Sequence, residues 1–329
     1  MRDMNTLVLR QTVQDIRPND KTRAFVRTWL RRSLTIPGYI ILWLFTMLLS
    51  PVILPIMIAA DYLSPGEGSL SKTRAVLFAM LYLNCEVFGI AASFAIWILS
   101  GRFLNMGKNL FIVLNVKLES LWAHAIFGGA RKIFSLRFEV EGDEHIGPGP
   151  ILLFIRHVSM ADTILPSIFV AGEKGIFLRH IMKKDLLWDP CLDIVGNRLP
   201  HVFIDRGGTQ TWLELNSIRR ISMDLSGADG VLIFPEGTRF SRAKREKALA
   251  HLKKNNETLY EKAAKWKNVL PPRTGGPLSI IETARDVDVV FCAHTGFEGA
   301  SSFWKFWGGR LVGKTVRMGF RRVAAADIP

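Results

Sequence analysis

Hydrophobic and polar positions divide the chain into stretches of different periodicity. No charged residue lies between Leu34 and Ala60, and only Glu86 interrupts the run from Ala75 to Ser100. About 20 apolar residues cross the roughly 30 Å of a bilayer's hydrocarbon. The pattern therefore predicts a membrane hairpin over 34–100, with helices at about 34–60 and 75–100. Lys21, Arg23, Arg27, Arg31 and Arg32 precede the first run within a polar segment spanning 1–33, and Arg102, Lys108 and Lys117 follow the second. Such an opening does not have the pattern of a cleavable signal peptide. Basic flanks stay on the cytoplasmic side, so both ends of the hairpin are expected there, with the short, nearly neutral link from Asp61 to Arg74 across the bilayer. Pro51 and Pro55 remove backbone donors within the first run. They leave a shallow hairpin held in one leaflet as the alternative to spanning.

A charged carboxylate at mid-membrane is costly, so Glu86 is expected to be protonated, paired or turned toward protein. A helix-to-helix hydrogen bond, with Asn84 as a second polar group, is preferred to a transport role, because Glu86 is the sole charged residue in the run.

After Ser100 the pattern changes. Phe111, Leu114, Leu118, Leu121, Trp122 and Ile126 recur at helical spacing among Lys117, Glu119 and His124. This predicts an amphipathic connecting helix within 101–137, lying on the membrane or on the next domain. From 138 to 329 short apolar runs alternate with helical stretches, and strands are expected at Ile151–Ile155, Gly175–Leu178, His201–Ile204, Val231–Phe234, Val287–Ala293 and Thr315–Val323. Trp212, Leu215, Ile218, Ile221 and Leu225 mark a helix face between two of them, opened by a Thr211/Glu214 capping box. Strand and helix in alternation give an α/β domain with a central, largely parallel sheet flanked by helices.

Composition sharpens this picture. Of 329 residues, 49% are hydrophobic, and 43 Lys+Arg against 29 Asp+Glu leave a formal charge of +14. That excludes a disordered or collagenous chain. A positive mean hydropathy beside a pI of about 10.0 indicates apolar segments joined to a cationic body that faces something anionic. Cys85, Cys191 and Cys292 are odd in number and far apart. They suit a reducing compartment and make no zinc or disulfide framework.

The candidate chemistry sits where strands end. The first strand of the domain runs into Arg156-His157-Val158-Ser159-Met160-Ala161-Asp162. Histidine accepts a proton near neutral pH, and a carboxylate can fix its tautomer. Residues five apart on a continuous helix point about 140° apart. His157 and Asp162 can therefore meet only if His157 precedes a helix whose first turn holds Asp162. Ser159 and Asp162 also have capping-box spacing, so a plainer role in starting that helix is open. Downstream come Val202-Phe203-Ile204-Asp205-Arg206-Gly207-Gly208 and Phe234-Pro235-Glu236-Gly237-Thr238-Arg239. Each is an apolar strand emptying into a loop with arginine, whose planar fork suits phosphate oxygens, and glycine, which lets backbone amides approach them. A solvated turn, with Glu236 merely paired to Arg206 or Arg239, is the plainer reading of either loop.

Taken together these blocks resemble the 1-acylglycerol-3-phosphate and lysophospholipid acyltransferases. His157-x-x-x-x-Asp162 resembles that family's catalytic motif, Ile204-Asp205-Arg206 its second block and Phe234 to Arg239 its third. Leu270-Pro271-Pro272-Arg273-Thr274-Gly275-Gly276 is similar to a segment of its lysocardiolipin branch. Two positions depart from the family pattern. The block from Val289 to Thr295 lacks a proline, and Arg156 stands where asparagine is common.

The resemblance implies acyl transfer from a thioester of coenzyme A or acyl carrier protein to the free hydroxyl of a lysophospholipid, lysophosphatidic acid giving phosphatidic acid. His157 and Asp162 would be catalytic, with His157 as base. Arg206, Glu236, Gly237, Thr238 and Arg239 would bind substrate, with no metal and no bound cofactor. Lysocardiolipin, another lysophospholipid or glycerol-3-phosphate are alternative acceptors, and a catalytically silent phospholipid-binding membrane protein is the rival of another class. No Gly-x-Ser-x-Gly elbow occurs, which favours direct transfer over an acyl-enzyme. The basic stretch from Ser241 to Lys267 is either a solvated face or an attractant for anionic membrane lipids. It lacks interleaved stacking aromatics, so nucleic acid is not an expected partner. The domain is expected at the cytoplasmic face of a membrane in which the chain is integral or deeply embedded.

Overall fold

A computed structural model describes residues 18–205 and 211–328. Its helices and strands begin with α1 (Pro18–Leu63), α2 (Ser71–Leu99), α3 (Lys108–Ile133), β1 (Arg137–Glu141), β2 (Ile151–Ile155) and β3 (Phe177–Lys183). They continue with α4 (Pro190–Gly196), β4 (Val202–Ile204), α5 (Thr211–Ile221), β5 (Asp229–Ile233) and α6 (Arg242–Asn255). The last are α7 (Glu257–Ala264), α8 (Gly275–Thr283), β6 (Asp288–Thr295), α9 (Phe303–Trp307) and β7 (Thr315–Val323). Two compact units result. One holds 18–65, 70–133 and 179–205, and the other 66–69, 134–178 and 211–328.

In the first unit, α1, α2 and α3 are each long and apolar enough to cross a membrane, one helix more than the sequence pattern suggests. α1 starts at Pro18 and continues through Pro37, Pro51 and Pro55, so the basic stretch and the first apolar run form one helix. Its 46 residues at 1.5 Å each extend about 69 Å, more than twice the hydrocarbon thickness. Leu34, Ile41, Leu42, Phe45, Leu48 and Val52 are exposed on it, a surface suited to lipid. α2 packs against both α1 and α3.

Polar groups on these helices find protein partners. Asp61, near the end of α1, accepts the backbone N–H groups of Lys72 and Thr73 at 2.9 Å each, capping the start of α2. Glu86 accepts the Trp122 indole N–H at 2.9 Å and the Cys191 N–H at 3.1 Å. The helix-to-helix bond thus runs to Trp122, while Asn84 accepts the Trp43 indole N–H at 3.1 Å.

The segment 179–205, drawn from sequence as part of the 138–329 stretch, groups with these helices. Here β3 and β4 pair in parallel. The fully buried Asp193 on α4 binds Arg31 at 2.7 Å and Arg32 at 3.0 Å, so two of the basic residues that favour a cytoplasmic flank are held in ion pairs. Arg198 donates to the Ser93 carbonyl at 2.8 Å and His201 to Glu119 at 2.9 Å. Glu119 was one of the residues that made α3 look amphipathic. Its partner here is protein.

The second unit is built on a sheet of order β1-β7-β6-β2-β5, parallel throughout except for the β6–β7 pair. β2 is central and all five of its residues are buried. A strand covered on both faces reads as a continuous apolar run, as Ile151–Ile155 does. α5 packs against α8, burying Ile218 and Ile280. The link residues 66–69 belong to this unit as well. Glu67 binds Arg310 at 2.7 Å and its N–H donates to the Gly308 carbonyl at 2.9 Å. A Cβ at Gly68 would come within 2.6 Å of the Gly309 oxygen, so only glycine permits this approach.

Because β2, β5 and β6 run parallel, their C-terminal ends share one edge. Register pairs Phe154 with Ile233 and Ile155 with Cys292. The loops after β2 and β5 thereby meet the last residues of β6.

Candidate active site

His157 lies just past β2, and Asp162 lies in a short helical turn at Ala161–Ile164. This is the placement that the five-residue spacing requires. The His157 Nδ1–H donates to Asp162 Oδ1 at 3.2 Å. Asp162 Oδ2 accepts the N–H groups of Val158 at 2.5 Å and Ser159 at 3.0 Å. Asp162 therefore closes the turn and holds the imidazole at once. Burial alone would raise its pKa. The hydrogen bonds from His157 and His294, the nearby His157 charge and the Val158 amide outweigh that and hold it well below the ordinary carboxylate range.

His157 itself is partly open, with 14% of its side chain exposed and its ring 4.4 Å from that of Phe234. One face is packed, and Nδ1 is committed to Asp162. The other ring nitrogen, Nε2, is the atom left to exchange a proton.

The loop after β5 supplies the wall. Glu236 Oε1 accepts the His157 N–H at 3.0 Å and Oε2 the Leu270 N–H at 2.8 Å. Burial pushes its pKa up, and the amides of Leu270 and His157 oppose this. With both oxygens taken by backbone donors, Glu236 ties three loops together; an anionic group so used is poorly suited to hold a phosphate. Gly237 adopts φ +66°, and a Cβ there would sit 2.6 Å from Arg273 Cδ. Arg273 thus lies across the glycine, with its own N–H donating to the Pro235 carbonyl at 2.9 Å. Thr238 Oγ1 and the Arg239 carbonyl accept from Lys244 at 2.8 and 3.0 Å. Arg239 and Arg273 are both exposed. Arg206 lies outside the described residues.

Arg156, despite its charge, is spent inside. Its guanidinium donates to the Asn268 carbonyl at 2.9 Å and to the His294 carbonyl, and it pairs with Glu298 at 3.3 Å. Cys292, pushed up to about 12 by burial and then by Asp162, is an unreactive thiol. Two residues near the pair were not among the expected site residues. Arg273 stands in the Pro-Arg-Thr segment, and His294 stands at the end of β6, where only the missing proline hints at a change. Among the described residues, no group of His, Cys, Asp or Glu is arranged to hold a metal ion.

The acyltransferase family model matches residues 137–292, from the first residue of β1 into β6. Residues 137–292 are an acyltransferase-family domain. The chain resembles the 1-acyl-sn-glycerol-3-phosphate acyltransferase of Pseudomonas aeruginosa, at 30% identity over 174 residues, 52% of this chain and 61% of that protein. It resembles the protein of that name from Limnanthes alba at 26% identity over 166 residues, 49% of this chain and 55% of the other. The chain thus spans under two thirds of the length of these relatives. A solved 1-acyl-sn-glycerophosphate acyltransferase from Thermotoga maritima aligns with a TM-score of 0.47 and 17% identity, covering 78% of this chain and 88% of that one. His157, Asp162 and the Glu236–Arg239 loop fall within the acyltransferase domain, and His294 lies two residues beyond the match.

Proposed function

We propose that the protein is a membrane-bound acyltransferase that moves a fatty acyl group from an acyl thioester to lysophosphatidic acid, giving phosphatidic acid. The observation that carries this reading is the His157–Asp162 pair at 3.2 Å, in the loop leaving the central strand of an acyltransferase-family domain. The acceptor's hydroxyl oxygen bonds to the thioester carbonyl carbon while His157 Nε2 takes its proton. Asp162 stabilises the imidazolium that forms. The carbon–sulfur bond then breaks, and the proton passes to the departing sulfur, whose thiol has a pKa of about 8.5 and leaves readily.

Arg239 and the Gly237-Thr238 turn are proposed to hold the acceptor's phosphate, with Arg206 assigned there by family resemblance alone. Holding the hydroxyl beside His157 in this way can supply much of the rate. The names of the relatives support lysophosphatidate as acceptor, and coenzyme A or acyl carrier protein is the proposed donor. The exposed apolar side chains of α1 support a membrane-embedded protein, and its basic flanks favour the cytoplasmic face. α6 buries none of its residues, which leaves its cations open to anionic lipid. Binding to anionic vesicles that weakens with salt checks this last point.

The test is purified full-length protein in detergent, given radiolabelled acyl thioesters and a panel of lysolipids with glycerol-3-phosphate. Lysophosphatidate should be acylated, and His157→Ala should lose roughly 10² to 10⁴ in turnover. Wild type that acylates no acceptor, or a His157→Ala variant at full turnover, overturns the reading.

A further inference from the structure

We propose that His294 is a positioning residue for the acyl transfer, acting through Asp162 and through the peptide that carries His157; the proposal rests on the function assigned above. His294 is buried near the end of β6. Its Nε2 lies 2.9 Å from the Arg156 carbonyl oxygen and 3.4 Å from Asp162 Oδ2. Both of those atoms only accept, so Nε2 carries the hydrogen. Nδ1 is buried and has no hydrogen-bond partner among the described residues. A proton there would add an unpaired donor and a buried charge, so the neutral ring with hydrogen on Nε2 is the assigned form.

Two consequences follow for His157. The peptide between Arg156 and His157 is gripped on both sides, its carbonyl by His294 and its N–H by Glu236 Oε1 at 3.0 Å. Asp162 Oδ2 accepts from Val158 and Ser159 and has His294 Nε2 3.4 Å away, which leaves Oδ1 as the oxygen turned to His157 Nδ1. The imidazole is thus set in place from its backbone and from its carboxylate by one residue that touches neither substrate nor the reacting atoms. The arrangement is a His–Asp–His chain, in which the outer ring is neutral and fixed and the inner ring moves the proton.

The experiment compares wild type, His157→Ala, His294→Leu and His294→Gln in the acyl-transfer assay, each normalised to folded protein by its thermal melt. Glutamine can place an N–H near the Nε2 position, whereas leucine cannot. His294→Leu should lose about 10- to 100-fold in kcat with little change in KM, since the hydrogen bond that holds the His157 peptide and the N–H beside the Asp162 carboxylate are both lost away from the substrate. His294→Gln should recover most of that loss. The ¹⁵N spectrum of histidine-labelled wild type, with the His294 signals identified by their absence in the glutamine variant, should show hydrogen on Nε2 alone. This reading needs no activity, so it decides even if leucine prevents folding. His294 protonated on Nδ1, or folded His294→Leu with unchanged kcat beside a dead His157→Ala, overturns the assignment of His294 alone. Inactive wild type overturns the assigned function and this role with it.

Discussion

Asp162→Asn is the substitution that most sharply separates a catalytic pair from a turn-closing carboxylate. Three donors bond Asp162, namely His157 Nδ1 and the N–H groups of Val158 and Ser159, and His294 Nε2 lies 3.4 Å from its Oδ2. An asparagine has one accepting oxygen. If that oxygen takes the Oδ2 place it serves both backbone amides and leaves the amide NH₂ facing His157, whereas the opposite orientation sets NH₂ against both amides and the His294 N–H. The first orientation wins, and His157 Nδ1 must then accept. Its hydrogen moves to Nε2, the atom that has to receive the hydroxyl proton. Loss of the correct tautomer in a His–Asp pair costs about 10⁴ in kcat, with substrate binding little affected. The loop keeps most of its hydrogen bonds, so the fold should persist. The assay is initial rate of acyl transfer at saturating lysophosphatidate and thioester, with a thermal melt alongside. A folded Asp162→Asn protein within tenfold of wild-type kcat would refute the tautomer argument and return Asp162 to a purely structural role.

Other expectations follow from the same geometry. Gly237→Ala forces a side chain onto a left-handed φ of +66° and into the Arg273 stem, which should cost about 1–2 kcal/mol and lower the melting temperature by a few degrees; an unchanged melt contradicts it. Asp193→Ala leaves Arg31 and Arg32, with side chains only 17% and 20% exposed, facing a buried gap. It should destabilise the helical unit by roughly 3–5 kcal/mol, read in a detergent melt. Asp162 is held below its ordinary 3.8, so the folded state favours its ionised form. The stability it contributes is complete above about 3.8 and is lost as pH falls through the lower folded value. The melting-temperature gap between wild type and Asp162→Asn should therefore shrink in acid, and a gap constant from about pH 6 to about pH 2 argues against the shift.

Much of the acyltransferase domain could be read directly. The strand Ile151–Ile155 announces itself because a strand covered on both faces has no polar alternation. The His157–Asp162 spacing limits the geometry to the one found, since helical pitch forbids any other meeting of the two. Arg31 and Arg32 show the opposite case. Their charge was legible as a membrane flank, but their pairing with Asp193, more than 160 positions away, was not. The partner of Glu119 on α3 is equally hidden in the sequence, because a glutamate facing a distant histidine has the same local pattern as one facing water.

Local order along the chain determined which segments are apolar, where the strands and turns fall and which residue types can move a proton. Tertiary structure alone decided that Glu236 braces loops, that residues 66–69 join the sheet unit, and that His294 stands behind Asp162. The physical reason is range. Periodicity and turn chemistry act over a few neighbouring residues, whereas a buried polar group is satisfied by whichever donor or acceptor the parallel sheet brings beside it, across 132 positions in the case of Asp162 and His294.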